Sequence, residues 1–464
     1  MLRMTSRFSW WKRTLINLGI CIAAIGAVLF LVQRVYVAGL NQTSSADPAN
    51  DSLLLTNDQE ISNTDGQLST LQGRLKQNPD DQPAYVQLGA AYLQKARETG
   101  DPTYYTRAEG VLRRALELKP QDLLAIVQMG ALDLSRHQFH EALALGQQAL
   151  ALNSTIPIIY GVIGDAQTEL GIYDQALQTV QTMVDMRPDL SSYSRASYVR
   201  ELHGDVAGAI EAMQRAVQAG GPNAENTNWT RVQLGNLYFN SGRLADAETQ
   251  YREALASYPG YVHAIAGLAR VHAARREYDE AIKLYTDVVN RFPLPEYVIA
   301  LGDVYEAAGR MPEAQQQFNL VRAIERLYIA NGVDTDLETA LFEADHHQDQ
   351  DMNEILARAQ RALAKRPTLY GKDVMAWVLY QAGQYAEAYD FSRQALQLGT
   401  QDALLLFHAG MIAERLGHTA EAQADLEEAL SINPNFSIRY RDLAESTLSA
   451  LRESNATSEL AEAR

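Results

Sequence analysis

Ten times along this chain a similar spacing returns: a small residue, an alanine about twelve positions on, another small or apolar residue seven beyond that, and often a closing proline. The clearest unit, Trp229 to Pro259, carries Leu234, Gly235, Tyr238, Gly242, Ala247, Tyr251, Ala254 and Pro259. The same template places the small residue at Gly89, Gly130, Gly164, Ser197, Gly235, Ala269, Gly302, Ala376 and Gly410. The alanine follows at Ala108, Ala142, Ala176, Ala209, Ala247, Ala281, Ala314, Ala388 and Ala422. An eighth unit falls in register at Glu343, with Ile355 in the alanine position, so its hairpin is expected to be wider. Helices cross closely only where side chains are short, so the pattern predicts helical hairpins stacked in tandem.

On these residues the chain resembles the tetratricopeptide repeat (TPR) family, whose unit of about 34 residues is a helix-turn-helix. The resemblance covers about residues 67 to 452 and implies an all-α fold: a right-handed superhelical solenoid of about ten repeats, here preceded by one transmembrane helix. Two stretches, Tyr92 to Tyr105 and Leu404 to Gly410, are also similar to segments of bacterial membrane-anchored TPR proteins of undefined biochemical role. Departures are local. In the first unit the inter-helix turn is lengthened through Glu98 to Tyr105, and Gly220 to Asn226 reads as an inserted loop. In the seventh, which lacks its proline, the second helix is expected to continue past Arg326 to an Asn331-Gly332 stop.

A solenoid grows without a single central core, so 464 residues are read as one long repeat domain rather than several globular ones. The formal charge of -17 argues against nucleic acid, whose phosphates need a basic footprint, and favours a basic or apolar peptide partner. A single cysteine, Cys21, excludes an intrachain disulfide.

From Leu15 to Val32 the chain is almost wholly apolar, about the length of a membrane-spanning helix. Trp10, Trp11 and Tyr36 flank it, as aromatic rings do at membrane interfaces. Arg3, Arg7, Lys12 and Arg13 precede the span, while acidic residues accumulate after it. The positive-inside rule then keeps the N-terminus cytoplasmic and places the repeats outside; the rival to an anchor is a cleaved signal peptide, with Val37-Ala38-Gly39 as its small-residue site. The expected organisation is a basic N-terminus (1-14), an anchor (15-37), a polar linker (38-66), the capped solenoid (67-452) and a polar tail (453-464). The expected location is the plasma membrane, single-pass.

No motif for catalysis or a cofactor stands out, and a non-enzymatic protein with no metal or cofactor is expected. The cluster Asp345-His346-His347-Gln348-Asp349-Gln350-Asp351 falls at the turn of the eighth repeat and reads as a solvated polar turn. Function therefore rests on partners. In tetratricopeptide proteins the first helix of each repeat lines a concave groove that holds peptides. Carried onto this sequence, the groove positions form two patches: Tyr198, Trp229, Asn236, Phe239, Asn240 and Arg270, and then Tyr370, Trp377, Tyr380, Phe407 and Met411. Rings and amides together suit an extended peptide. Asp165, Glu169, Glu201, Asp303 and Glu306 add acidic groove positions where a basic ligand residue would be welcome. The expected function is a membrane-tethered, extracytoplasmic scaffold for a protein or peptide partner. The alternative is an assembly or maturation factor for exported proteins, of the cytochrome c maturation or translocon-associated type.

Overall fold

The computed structural model describes residues 64–221, 225–346 and 351–462, with side chains to 454. The expected anchor and linker, residues 15-37 and most of 38-66, lie outside the described residues, as do His347 and its neighbours to 350. Among the described residues there are 22 helices and no strand, and no helix is long and apolar enough to cross a membrane.

Helix α1 (Thr64–Gln77) precedes ten hairpins. These are α2 (Gln82–Thr99) with α3 (Thr103–Leu118), α4 (Leu123–Ser135) with α5 (Phe139–Leu152), α6 (Pro157–Glu169) with α7 (Tyr173–Met186), and α8 (Leu190–Leu202) with α9 (Val206–Ala219). Next come α10 (Glu225–Asn240) with α11 (Leu244–Ser257), α12 (Val262–Ala274) with α13 (Tyr278–Arg291), and α14 (Pro295–Ala307) with α15 (Met311–Ala330). The last three are α16 (Asp336–Asp345) with α17 (Met352–Lys365), α18 (Leu369–Gln381) with α19 (Tyr385–Ala395), and α20 (Ala403–Arg415) with α21 (Thr419–Ile432). Helix α22 (Arg441–Glu462) closes the stack and stays helical where the sequence reads as a polar tail. The first repeat spends its extra residues on helix rather than on turn, because α2 runs to Thr99 and α3 starts at Thr103. Helix α15 continues to Ala330 and stops at Asn331-Gly332, as its missing proline predicts.

In the fifth, seventh and tenth repeats the small residue of the first helix serves a neighbour that the paired-small pattern does not name. A Cβ on Gly235 would stand 2.5 Å from Tyr251, one on Gly302 2.3 Å from Phe318, and one on Gly410 2.8 Å from Leu426. In each case the large side chain sits sixteen residues on, in the second helix, and fills the notch the glycine leaves. The eighth repeat inverts this complement. Glu343 takes the notch position and Ala359, sixteen on and 1% exposed, takes the large one, while Arg358 pairs with Glu343 at 3.0 Å. The register there is sound; the sizes are exchanged.

The superhelix closes on itself. The turn inside each of the first five repeats meets the loop that follows the repeat five further on. Thus Gly100 lies against Phe292 and Leu294, with Tyr328 of α15 donating to its carbonyl at 3.1 Å, and Asp334 N–H donates to the Arg136 carbonyl at 3.0 Å. Leu369 N–H donates to the Tyr173 hydroxyl at 2.7 Å, and the Asn433 amide donates to the Phe239 carbonyl at 2.9 Å. Gly171 and Gly204, at φ 69° and 76°, make left-handed turns whose missing Cβ leaves room for the Pro367 and Gly399 carbonyls. Arg366 crosses the same seam to Glu169 at 2.7 Å and holds Glu338 at 2.7 Å. About six repeats thus complete one superhelical turn, and the second turn rests on the first.

Candidate functional site

Closure wraps the concave face around an interior groove, and two adjoining cavities open into it. One, of about 730 Å³, is lined by the first helices of the fifth to seventh repeats and by the loop Asn435 to Ile438. The other, of about 540 Å³, lies where the fourth and fifth repeats face the ninth and tenth across the seam. Trp229, Gln233, Asn236, Arg270 and Phe436 border both.

The first predicted patch lines these cavities. Trp229 is 42% exposed, a large ring left open on an inner surface. Phe239 is buried beneath the Arg270 guanidinium, 3.8 Å from its ring centroid, a cation–π contact that holds Arg270 flat. Arg270 also donates to the Asn240 amide oxygen at 3.2 Å, and the Asn236 amide oxygen accepts from Tyr251 at 2.7 Å. Tyr198 and Tyr370, assigned by the sequence to separate patches, line the same cavity, because the seam brings the fourth and ninth repeats together.

The rest of the second patch is covered by the chain itself. Trp377, Phe407 and Met411 are buried at 1%, 0% and 4% exposure. Over them lies the segment between α21 and α22: Phe436 packs on Phe407 with centroids 5.4 Å apart, and Tyr440 on Phe407 at 5.0 Å and on Trp377 at 5.5 Å. Tyr380 stacks on Trp377 at 4.7 Å and His408 at 4.1 Å. The indole N–H and the Tyr440 hydroxyl both donate to Asp345, at 2.8 and 2.6 Å.

The same segment supplies the basic residue that the acidic positions call for. Arg439 reaches Asp303 at 3.5 Å and also pairs with Glu306, and His346 Nε2 lies 2.9 Å from Asp303. Asp303, Glu306 and His346 converge as a metal site would, with a guanidinium of the chain on the two carboxylates. Phe436, Arg439 and Asp402 were missed by the sequence reading. Phe436 and Arg439 sit beyond the last repeat, outside any repeat position, and Asp402 is the N-cap of α20, accepting from Leu404 N–H at 2.9 Å.

Burial shifts several groups around the cavities. The Glu201 carboxyl is pushed up to about 7 by burial and by Asp402 nearby. Burial likewise raises Asp402 and Glu296, and lowers the His263 imidazole to about 4.

The fold defines the class first: an α-solenoid of stacked helical hairpins that encloses a partly filled groove. The Tetratricopeptide repeat description matches residues 232–294, 267–325 and 403–436, so these stretches carry tetratricopeptide repeats, a class that binds protein partners in general. Tetratricopeptide repeat protein 36 of Mus musculus is 34% identical over 92 residues, 20% of this chain and 50% of that protein. Its Homo sapiens counterpart is 33% identical over 92 residues, 20% and 49% of the two chains. The chain thus spans about half the length of the curated relatives it matches. A thermophilic TPR protein of Thermus thermophilus superposes with a TM-score of 0.36 at 23% identity, covering 44% of this chain and 99% of that one.

Proposed function

We propose that the protein is a non-enzymatic interaction scaffold that holds an extended peptide segment of a protein partner in the interior groove, across the two cavities around Trp229. The carrying observation is the contrast between the two halves of the groove. One half is filled by the chain's own Asn433–Tyr440 segment, with rings on rings and Arg439 on acids. The other is lined by the same residue types and is open, with Trp229 exposed at its edge. A surface that already accommodates one stretch of polypeptide through rings, amides and charge has the chemistry to accommodate another.

On this proposal the scaffold is tethered to the plasma membrane by the apolar segment Leu15 to Val32, with the repeats outside the cytoplasm. Its support is the length of that segment and the basic residues before it. A tether raises the local concentration of groove and partner, so individually weak contacts suffice.

The test is a crosslinked pull-down of full-length protein from native membranes, beside Trp229→Ala. A partner recovered with wild type and lost with the variant, at unchanged helicity, supports the groove; equal recovery moves the interface elsewhere. Labelling of a cysteine introduced at exposed Thr249 by an impermeant reagent on intact cells tests the orientation, and no labelling until lysis contradicts it.

A further inference from the structure

Five acidic side chains belong to the groove positions, and four of them meet a cationic group of the same chain. Asp165 takes Arg195 through two contacts of 2.8 and 2.7 Å, and Glu169 takes Arg366 at 2.7 Å. Asp303 and Glu306 share Arg439, with His346 beside Asp303. Glu201 is the exception: among the described residues no basic side chain pairs with it. Burial and a second acid, Asp402, raise its carboxyl, against a smaller lowering by the Asn240 amide.

These two carboxylates line the 540 Å³ cavity with the rings of Tyr198 and Tyr370. Asp402 spends one oxygen on the first amides of α20, Leu404 and Leu405 at 2.9 and 3.3 Å. Neither Tyr198 nor Tyr370 makes a side-chain hydrogen bond among the described residues. Two acids with no basic side chain in ion-pair contact, two unengaged phenols and space between them, with Arg270 held on Phe239 and Asn240 elsewhere on the cavity wall, form a receptor for one kind of group. A guanidinium stacks on tyrosine faces and forks onto carboxylates, and an ammonium does the second without the first.

We infer that the Tyr198–Glu201–Tyr370–Asp402 pocket binds the cationic side chain of the partner peptide, arginine in preference to lysine. The inference rests on the peptide-groove reading and specifies its ligand. Arg439 on Asp303 and Glu306 shows the same recognition made by the chain's own segment in the filled half of the groove. The raised Glu201 carboxyl agrees with an acid that lacks its counter-ion, and an entering cation would draw it back down. The pocket exists only because the seam is closed, since Tyr198 and Glu201 come from α8 while Tyr370 and Asp402 lie at the starts of α18 and α20.

The test uses full-length protein in detergent on an array of hexapeptides, each position fixed in turn as arginine, lysine, citrulline, glutamate or leucine. Bound sequences are then measured in solution by fluorescence anisotropy. Arginine should exceed its neutral isostere citrulline by about tenfold or more, the range of a charge-assisted hydrogen bond. Glu201→Gln with Asp402→Asn should remove that preference while citrulline peptides bind as before; asparagine keeps the cap of α20. The citrulline comparison needs no variant, so a folding defect in the double mutant leaves the inference testable. Peptides bound without preference for a cation overturn the pocket and leave the groove reading standing. No peptide retained at all overturns both.

Discussion

Replacing Gly235 by alanine adds one methyl group at the most constrained point of the fifth repeat. The new Cβ would lie 2.5, 2.9 and 3.0 Å from three atoms of the Tyr251 ring, well inside contact distance. That ring cannot step aside. It is fully buried, its other neighbour is Gly267, where a Cβ would also stand at 2.5 Å, and its hydroxyl is held by Asn236 at 2.7 Å. Overpacking of this kind costs about 1–3 kcal/mol, and disturbing the hydroxyl bond adds about 1 kcal/mol. Alanine's better helix propensity returns about 1 kcal/mol, so the net loss is about 2 kcal/mol. In a solenoid the loss is local, because each repeat touches chiefly its neighbours and global unfolding need not be two-state. Hydrogen exchange resolved by peptide is therefore the assay: amides of α10 to α12 should exchange about thirtyfold faster. Gly110→Ala, where nothing lies within 4 Å, should instead stabilise α3 by about 1 kcal/mol. Shrinking the ring with Tyr251→Leu should make Gly235→Ala far less costly than it is alone. Unchanged exchange in the fifth repeat, or strict additivity of the two substitutions, would refute the notch-and-ring account.

Three further outcomes follow from named contacts. Arg366→Ala leaves Glu169 without its ion pair and Glu338 with only His137 at 3.9 Å, and should loosen the second superhelical turn from the first by about 1–3 kcal/mol; broadened electron–electron distances between spin labels on α7 and α17 would report it, and an unchanged distribution would deny the seam its ion pair. Arg439→Ala should release the Asn433–Tyr440 segment, seen as faster cleavage by a protease between α21 and α22 and as exposure of Trp377 to a fluorescence quencher; equal cleavage would mean the aromatic contacts hold the segment unaided. Glu201 holds its proton in the folded state up to about pH 7, whereas the unfolded chain ionises near 4.5, so stability falls as pH rises through that window and the cost is complete above it. Glu201→Gln should thus stabilise the protein at pH 8, on the order of 2 kcal/mol, and change little at pH 4, as followed by denaturant unfolding.

The repeats were legible because their spacing is a local, periodic property: Gly235, Ala247 and Pro259 fall where a helical hairpin needs small residues and a stop. Even the odd eighth unit was in register, and only the exchange of sizes between Glu343 and Ala359 was hidden. What the sequence could not show is the closure of the superhelix. It depends on contacts about 195 residues apart, such as the Phe239 carbonyl with Asn433 at a separation of 194, and on backbone carbonyls seated at Gly171 and Gly204, which read as ordinary turn glycines. The candidate groove divides along that line. Trp229, Asn236 and Arg270 are set by their own helices and line the open cavities. Trp377, Phe407 and Met411 are covered by Phe436 and Tyr440, whose segment follows the last repeat and carries no periodic signal.

The most direct measurement places a photocrosslinking phenylalanine analogue at Trp229 in the full-length protein in its own membranes, and at Thr249, exposed on α11 of the same repeat, as the comparison. A groove-binding scaffold predicts a discrete crosslinked partner from position 229 and none from 249, with the crosslinked peptide carrying an arginine near its attachment point. A partner captured from 249 and not from 229 would place the interface on the outer helices and contradict the account.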